Sequence, residues 1–142
     1  MLSDSNNGFW VTPPLDRDVT ISGTIVINLW ASESSMSANT QVECWLYRIL
    51  ASGSLAGSQF WHIAAGAELG TSIAAVNWSG SGTTTDFLRG DRILIVPSFV
   101  AIGTMGGPFT ITFNYDGATA AASGDSYVTF TQDFGFMVDA PD

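Results

Sequence analysis

"DVTISGTIVINLW", residues 18–30, alternates apolar and polar side chains over most of its length. Val19, Ile21, Ile25, Ile27 and Leu29 share one parity, and Thr20, Ser22, Thr24 and Asn28 share the other. Successive side chains of an extended chain leave opposite faces, so this period of two marks a strand with one face buried and one wet. "FTITFNY" (109–115) repeats the pattern, with Phe109, Ile111, Phe113 and Tyr115 against Thr110, Thr112 and Asn114. "YVTFTQDFGF" (127–136) sets Val128, Phe130, Phe134 and Phe136 on one side.

Two further stretches lack the alternation. "TQVECWLYRIL" (40–50) and "DRILIVPSFV" (91–100) are apolar on both faces, which places each strand between layers or against a neighbouring subunit. Pro97 cannot donate to a ladder and favours an edge or a bulge. The segments 58–64, 68–78 and 83–88 are weaker strand candidates, separated by Gly and Ser clusters. No window shows a capped helical period, so about eight short strands predict an all-β fold. The expected architecture is a single antiparallel β-sandwich, jelly-roll-like, over residues 18–138. An immunoglobulin-like sandwich is the second choice and lacks its usual cysteine pair. Residues 1–17, with Pro13, Pro14 and the aromatic pair Phe9 and Trp10, read as an extended arm that lies on its own sandwich or docks on a neighbour; 139–142 form a short acidic tail.

Composition narrows the function. The chain has 142 residues, 46% hydrophobic, enough for one core. Only 12% of residues are charged, and the four cations are Arg17, Arg48, Arg89 and Arg92 against thirteen carboxylates. A net charge of -9 repels phosphate backbones, so nucleic acid is an unexpected partner. No apolar run reaches the length of a membrane helix, and the first residues lack a signal-peptide pattern, so the expectation is a protein made in a cytoplasm. Cys44, the single cysteine, reads as a small buried hydrophobe.

Catalytic constellations are sparse. His62 is the single histidine and sits inside "FWHIA", an aromatic strand where a triad has little to draw on. One His and one Cys cannot assemble a zinc site. Calcium fits a sandwich loop better, with Asp116 and Asp125 bounding the bland run 117–124 as weak metal candidates, and Asp16 and Asp18 close together elsewhere. Turn formation is the leading reading of these aspartates. "LRGDRI" (88–93) contains Arg-Gly-Asp, best explained as a tight turn at Gly90 and Asp91 feeding a strand. Asn77 heads the glycosylation pattern "NWS". Of five tryptophans, Trp30, Trp45 and Trp61 fall within strand patterns, whereas Trp10 and Trp78 border loops and are candidates, with Phe9, for binding a partner. A carbohydrate-binding module stacking sugars on Trp10 or Trp78 is the alternative from another class.

Taken together, "DVTISGTIVINLWASESSMSANTQVECWLYRI", "LRGDRILIVP" and "DGATAAASGDSYVTFTQDFGF" resemble β-sandwich proteins of tailed-bacteriophage virions, the head decoration, minor capsid or minor tail proteins. The resemblance implies a protein located in the virion, with no enzymatic activity and no cofactor. It implies a homo-oligomer, commonly a trimer, bound to the major capsid protein or another virion protein. A tail or fibre-tip protein contacting the host is the nearest variant.

Overall fold

The computed structural model describes residues 2–4, 8–114 and 125–137, with residues 2–4 described as backbone only. Among the described residues eleven strands follow one another: β1 (Leu2–Asp4), β2 (Phe9–Val11), β3 (Val19–Ile21), β4 (Thr24–Glu33), β5 (Thr40–Ile49), β6 (Trp61–Ala64), β7 (Ala74–Ser81), β8 (Thr85–Phe87), β9 (Arg92–Ala101), β10 (Ile111–Asn114) and β11 (Tyr127–Thr129). The helical content among the described residues is one short 3-10 turn, Met36–Ala38, started by the Ser35 side chain. The fold is an all-β antiparallel sandwich. One sheet runs β1-β2-β9-β5-β6. In a second, β4 pairs with β7 on one edge and with β10 and β11, end to end, on the other, and β3 and β8 form a two-stranded sheet of their own. The chain crosses between the two larger sheets between β2 and β4, after β4, after β6, between β7 and β9, and after β9, as a jelly-roll-like winding requires.

The alternation that marks residues 18–30 as a strand also fills the core. Ile21, Ile25, Ile27 and Leu29 are buried, facing Val42, Cys44 and Leu46 of β5 and Ile93 and Ile95 of β9 in one cluster. Burial of each such aliphatic side chain contributes about 1.5–3 kcal/mol, and this face holds the two layers together.

Three more strands form than the eight expected, each for a local reason. Gly23, at φ 76, bends the first long strand into β3 and β4. The chain there changes partner, from β8 to β7. Beyond the bend Gln132 serves the Ser22 backbone, accepting from Ser22 N at 3.2 Å and donating to Ser22 O at 2.9 Å. The side chain thus replaces the ladder, and β11 ends at Thr129. The other two additions, β1 and β2, come from the expected arm. β2 pairs with β9, and Leu15, fully buried, donates to Asp91 O at 2.8 Å. The sandwich therefore recruits residues before 18.

Two expected boundaries shift. β7 begins at Ala74, not near 68, because Leu69 N donates to Thr40 O and Gly70 O accepts from Glu33 N, which turns that stretch into a cap over the sandwich end. Pro97 sits in β9 opposite Cys44, past the last residue that β2 pairs. Its missing N–H falls where that edge has no described partner strand, as the proline rule requires.

Candidate functional site

The alternation of β5 and β9 that buries Val42, Cys44, Leu46, Ile93 and Ile95 turns the intervening residues outward. Register aligns them in rows: Tyr47 lies opposite Leu94, which lies opposite Val11, and Trp45 lies opposite Val96 on one side and His62 on the other. Phe9 precedes Val11 on the same face of β2. All of these apolar side chains are half-buried by one another, and no described layer covers them. An outer sheet face facing only water is ordinarily polar at such positions.

A polar cluster closes one end of this face. Glu43 Oε2 lies 2.7 Å from His62 Nε2, and Glu43 Oε1 accepts from Trp45 Nε1 at 3.2 Å. The His62 imidazole stacks on the Trp45 ring, centroids 3.5 Å apart and planes 16° from parallel. One carboxylate thus orients both rings. This arrangement uses the imidazole as a lid on an aromatic plane and leaves it no nucleophile among its hydrogen-bond partners.

The structure corrects two of the three aromatic candidates. Trp10 is 4% exposed and Trp78 is 8% exposed, so neither is available to stack on a sugar or a partner. The Trp78 indole N–H donates inward, to Ile63 O at 3.0 Å. Phe9 keeps its place on the outer face. Sequence patterning assigned Trp45 and Tyr47 to strands without singling them out, and the doubly apolar run around them is the signal that finds them.

The acidic candidates divide. Asp116 lies outside the described residues. Asp125 is described, and its carbonyl accepts from Asn28 Nδ2 at 3.2 Å. Asp16 binds Arg17 at 2.8 Å, and this hydrogen bond holds the Asp16 carboxyl below its usual range. Asp18 Oδ1 accepts from Arg89 N at 2.7 Å. Among the described residues no three His, Cys, Asp or Glu side chains gather to hold a metal. Asp91 of the Arg-Gly-Asp triplet is 2% exposed. Its Oδ2 accepts from Arg48 Nε at 2.6 Å and Leu88 N at 2.8 Å, and its Oδ1 accepts from Ala51 N at 3.1 Å. The turn expected at Gly90 and Asp91 is present, and its carboxylate is spent inside the fold. Asn77 is exposed beside Asn28, to which it donates at 3.5 Å.

Cys44 faces the core, and burial pushes its thiol up to about 12. At pH 8 the thiolate fraction is then roughly one in ten thousand, against about a quarter for a free cysteine. Native protein is expected to resist iodoacetamide at pH 8 while urea-unfolded protein is alkylated within minutes, as intact-mass spectrometry would record.

No family model and no curated protein matches the chain. Among solved structures the chain is similar to an alpha-amino acid ester hydrolase labelled with selenomethionine, with a TM-score of 0.58 and 14% identity over 86% of this chain. The matched part is 25% of the hydrolase, so this chain spans about a quarter of that protein's length. At that identity the likeness concerns the fold, a β-sandwich, and carries no residue of the hydrolase's chemistry.

Proposed function

We propose that this chain is a non-enzymatic structural protein of a virus particle, a decoration or auxiliary subunit that docks on the capsid shell through the outer face of its five-stranded sheet. The observation that carries the reading is the pair of cross-strand rows, Val11–Leu94–Tyr47 and Val96–Trp45, half-buried and uncovered by any described layer on the side of the sheet away from the core. Contiguous aromatic and aliphatic side chains on an outer face mark protein interfaces, where tyrosine and tryptophan are enriched. The low charge of the chain favours such burial, because few ions must be desolvated. The resemblance to phage virion proteins names the kind of partner.

The test is incorporation. Mass spectrometry of purified particles is expected to find the chain at a fixed ratio to the major shell protein. Val96→Asp, which places a carboxylate at the centre of the face, is expected to weaken shell binding about thirtyfold or more while circular dichroism stays unchanged. Particles without the chain, or shell binding indifferent to Val96→Asp, would overturn the proposal. Gold labelling on the tail instead of the head would select the tail variant of the same class.

A further inference from the structure

The second edge of β7 is the most exposed template in the fold. β7 pairs with β4 over eight residues, and no strand among the described residues pairs with its other edge. Near the strand's end Gly80 O accepts from Trp61 Nε1 at 2.9 Å. The other described strands at sheet edges, β1, β3, β6, β8, β10 and β11, are three or four residues long, and the stretch of β9 beyond β2 carries Pro97 on its open edge. Shortness is itself a guard, as are lysines, prolines and bulges. β7, "AAVNWSGS", is long and has no proline and no charge, and the chain stays uncharged from residue 69 to residue 85.

We propose that this edge pairs with the same edge of a second copy, antiparallel and about a two-fold axis, so that the two four-stranded sheets become one continuous sheet across the dimer. Three observations select a second copy over a foreign strand. First, two chains of net charge -9 repel each other, and they meet no like charge along this strand. Second, Ala75, Ser79 and Ser81 are small and exposed, so the backbones can close to ladder distance. Third, a foreign peptide is chosen by side-chain pockets along the edge, and the groove here, between Gln59–His62 and Ser81–Thr83, is open and polar and reaches only the last residue of β7, whereas self-pairing needs only a matching ladder. Such an interface is isologous: it closes at two copies and does not produce a trimer. The inference is independent of the docking face, which lies on the other sheet.

Ala75→Glu with Ser79→Glu tests it, since in a two-fold pairing centred near Asn77 these positions face each other across the axis. Sedimentation equilibrium of the full chain at micromolar concentration is expected to show a dimer whose dissociation constant rises about tenfold or more in the double variant. Ser52→Glu with Ser54→Glu, in an exposed turn, adds the same charge and is expected to leave the dimer intact. A wild-type monomer or trimer, or a dimer unmoved by the edge variant, overturns the inference. Should the edge variant misfold, hydrogen exchange of the wild type decides: β7 amides must become more protected as concentration rises, and exchange without concentration dependence overturns it. Val96→Asp is expected to keep the dimer, so loss of shell docking and loss of self-pairing read out separately.

Discussion

Asp91→Ala is expected to cost about 3 kcal/mol of folding stability, because it strips a half-buried guanidinium of its partner and two backbone amides of their acceptor. Arg48, whose side chain is 20% exposed, would be left beside the Phe87 ring without its carboxylate. Ala51 N and Leu88 N, which fix the β5–β6 connection and the turn before β9, would both lose their bonds. For a domain of this length the midpoint is expected to fall by roughly 10 °C or more in a thermal melt followed by circular dichroism. Asp91→Asn retains an acceptor oxygen without the charge and is expected to fall between the two. Arg89→Ala, in the same triplet but exposed, is expected to change stability by about 0.5 kcal/mol at most. Equal effects at Arg89 and Asp91 would sink the structural account of the triplet, which makes its aspartate a tether and its arginine a bystander.

Trp61→Ala is expected to be at least as severe, about 3–5 kcal/mol in urea unfolding. Trp61, 2% exposed, does more than fill volume. Its indole donates from β6 to Gly80 O of β7 at 2.9 Å, while the Trp78 indole donates from β7 back to Ile63 O of β6 at 3.0 Å. Two reciprocal bonds thus join the sheets at one end. Glycines make room for the clasp: a Cβ at Gly80 would overlap the end of Ile63, and one at Gly82 would press on Phe60 O and the Trp61 ring. Trp61→Phe removes the donor but keeps most of the apolar bulk and is expected to cost about 1–2 kcal/mol. Combined with Trp78→Phe in a double-mutant cycle, it is expected to show coupling of about 0.5 kcal/mol or more. Strict additivity would mean that the two indoles act alone.

The strands were legible where burial imposes a local rhythm. β5 and β10 lie inside the segments that the patterning marks out, and β4 and β9 overlap theirs, running on to Glu33 and Ala101, because one face of each, or both, must be apolar. Trp10 and Leu15 were harder to place. They are single anchors in a polar, proline-bearing segment, and three residues of strand are too few to show a period. Trp78 misled for a related reason: a loop boundary in sequence says nothing about which backbone carbonyl an indole can reach across the sandwich. The Glu43, Trp45 and His62 cluster joins residues 19 apart along the chain through strand register alone. Its members are visible one by one in the sequence, and their meeting is not. The outer face fared better, since the doubly apolar runs at 40–50 and 91–100 already demanded something on each side.

The end-to-end arrangement of β10 and β11 on one edge of β4 has a consequence for how the chain can change. Asn114 lies opposite Trp30 and Tyr127 opposite Asn28, two residues apart on the same strand, and Ser126 Oγ donates to Asn114 O. The two ends of the intervening segment are therefore pinned side by side by the sandwich, whatever lies between them. Lengthening a loop whose ends are already held costs only about 0.6 kcal/mol for each doubling. A tag or small domain inserted between Asn114 and Asp125 is thus expected to leave the register of β4, β10 and β11 unchanged.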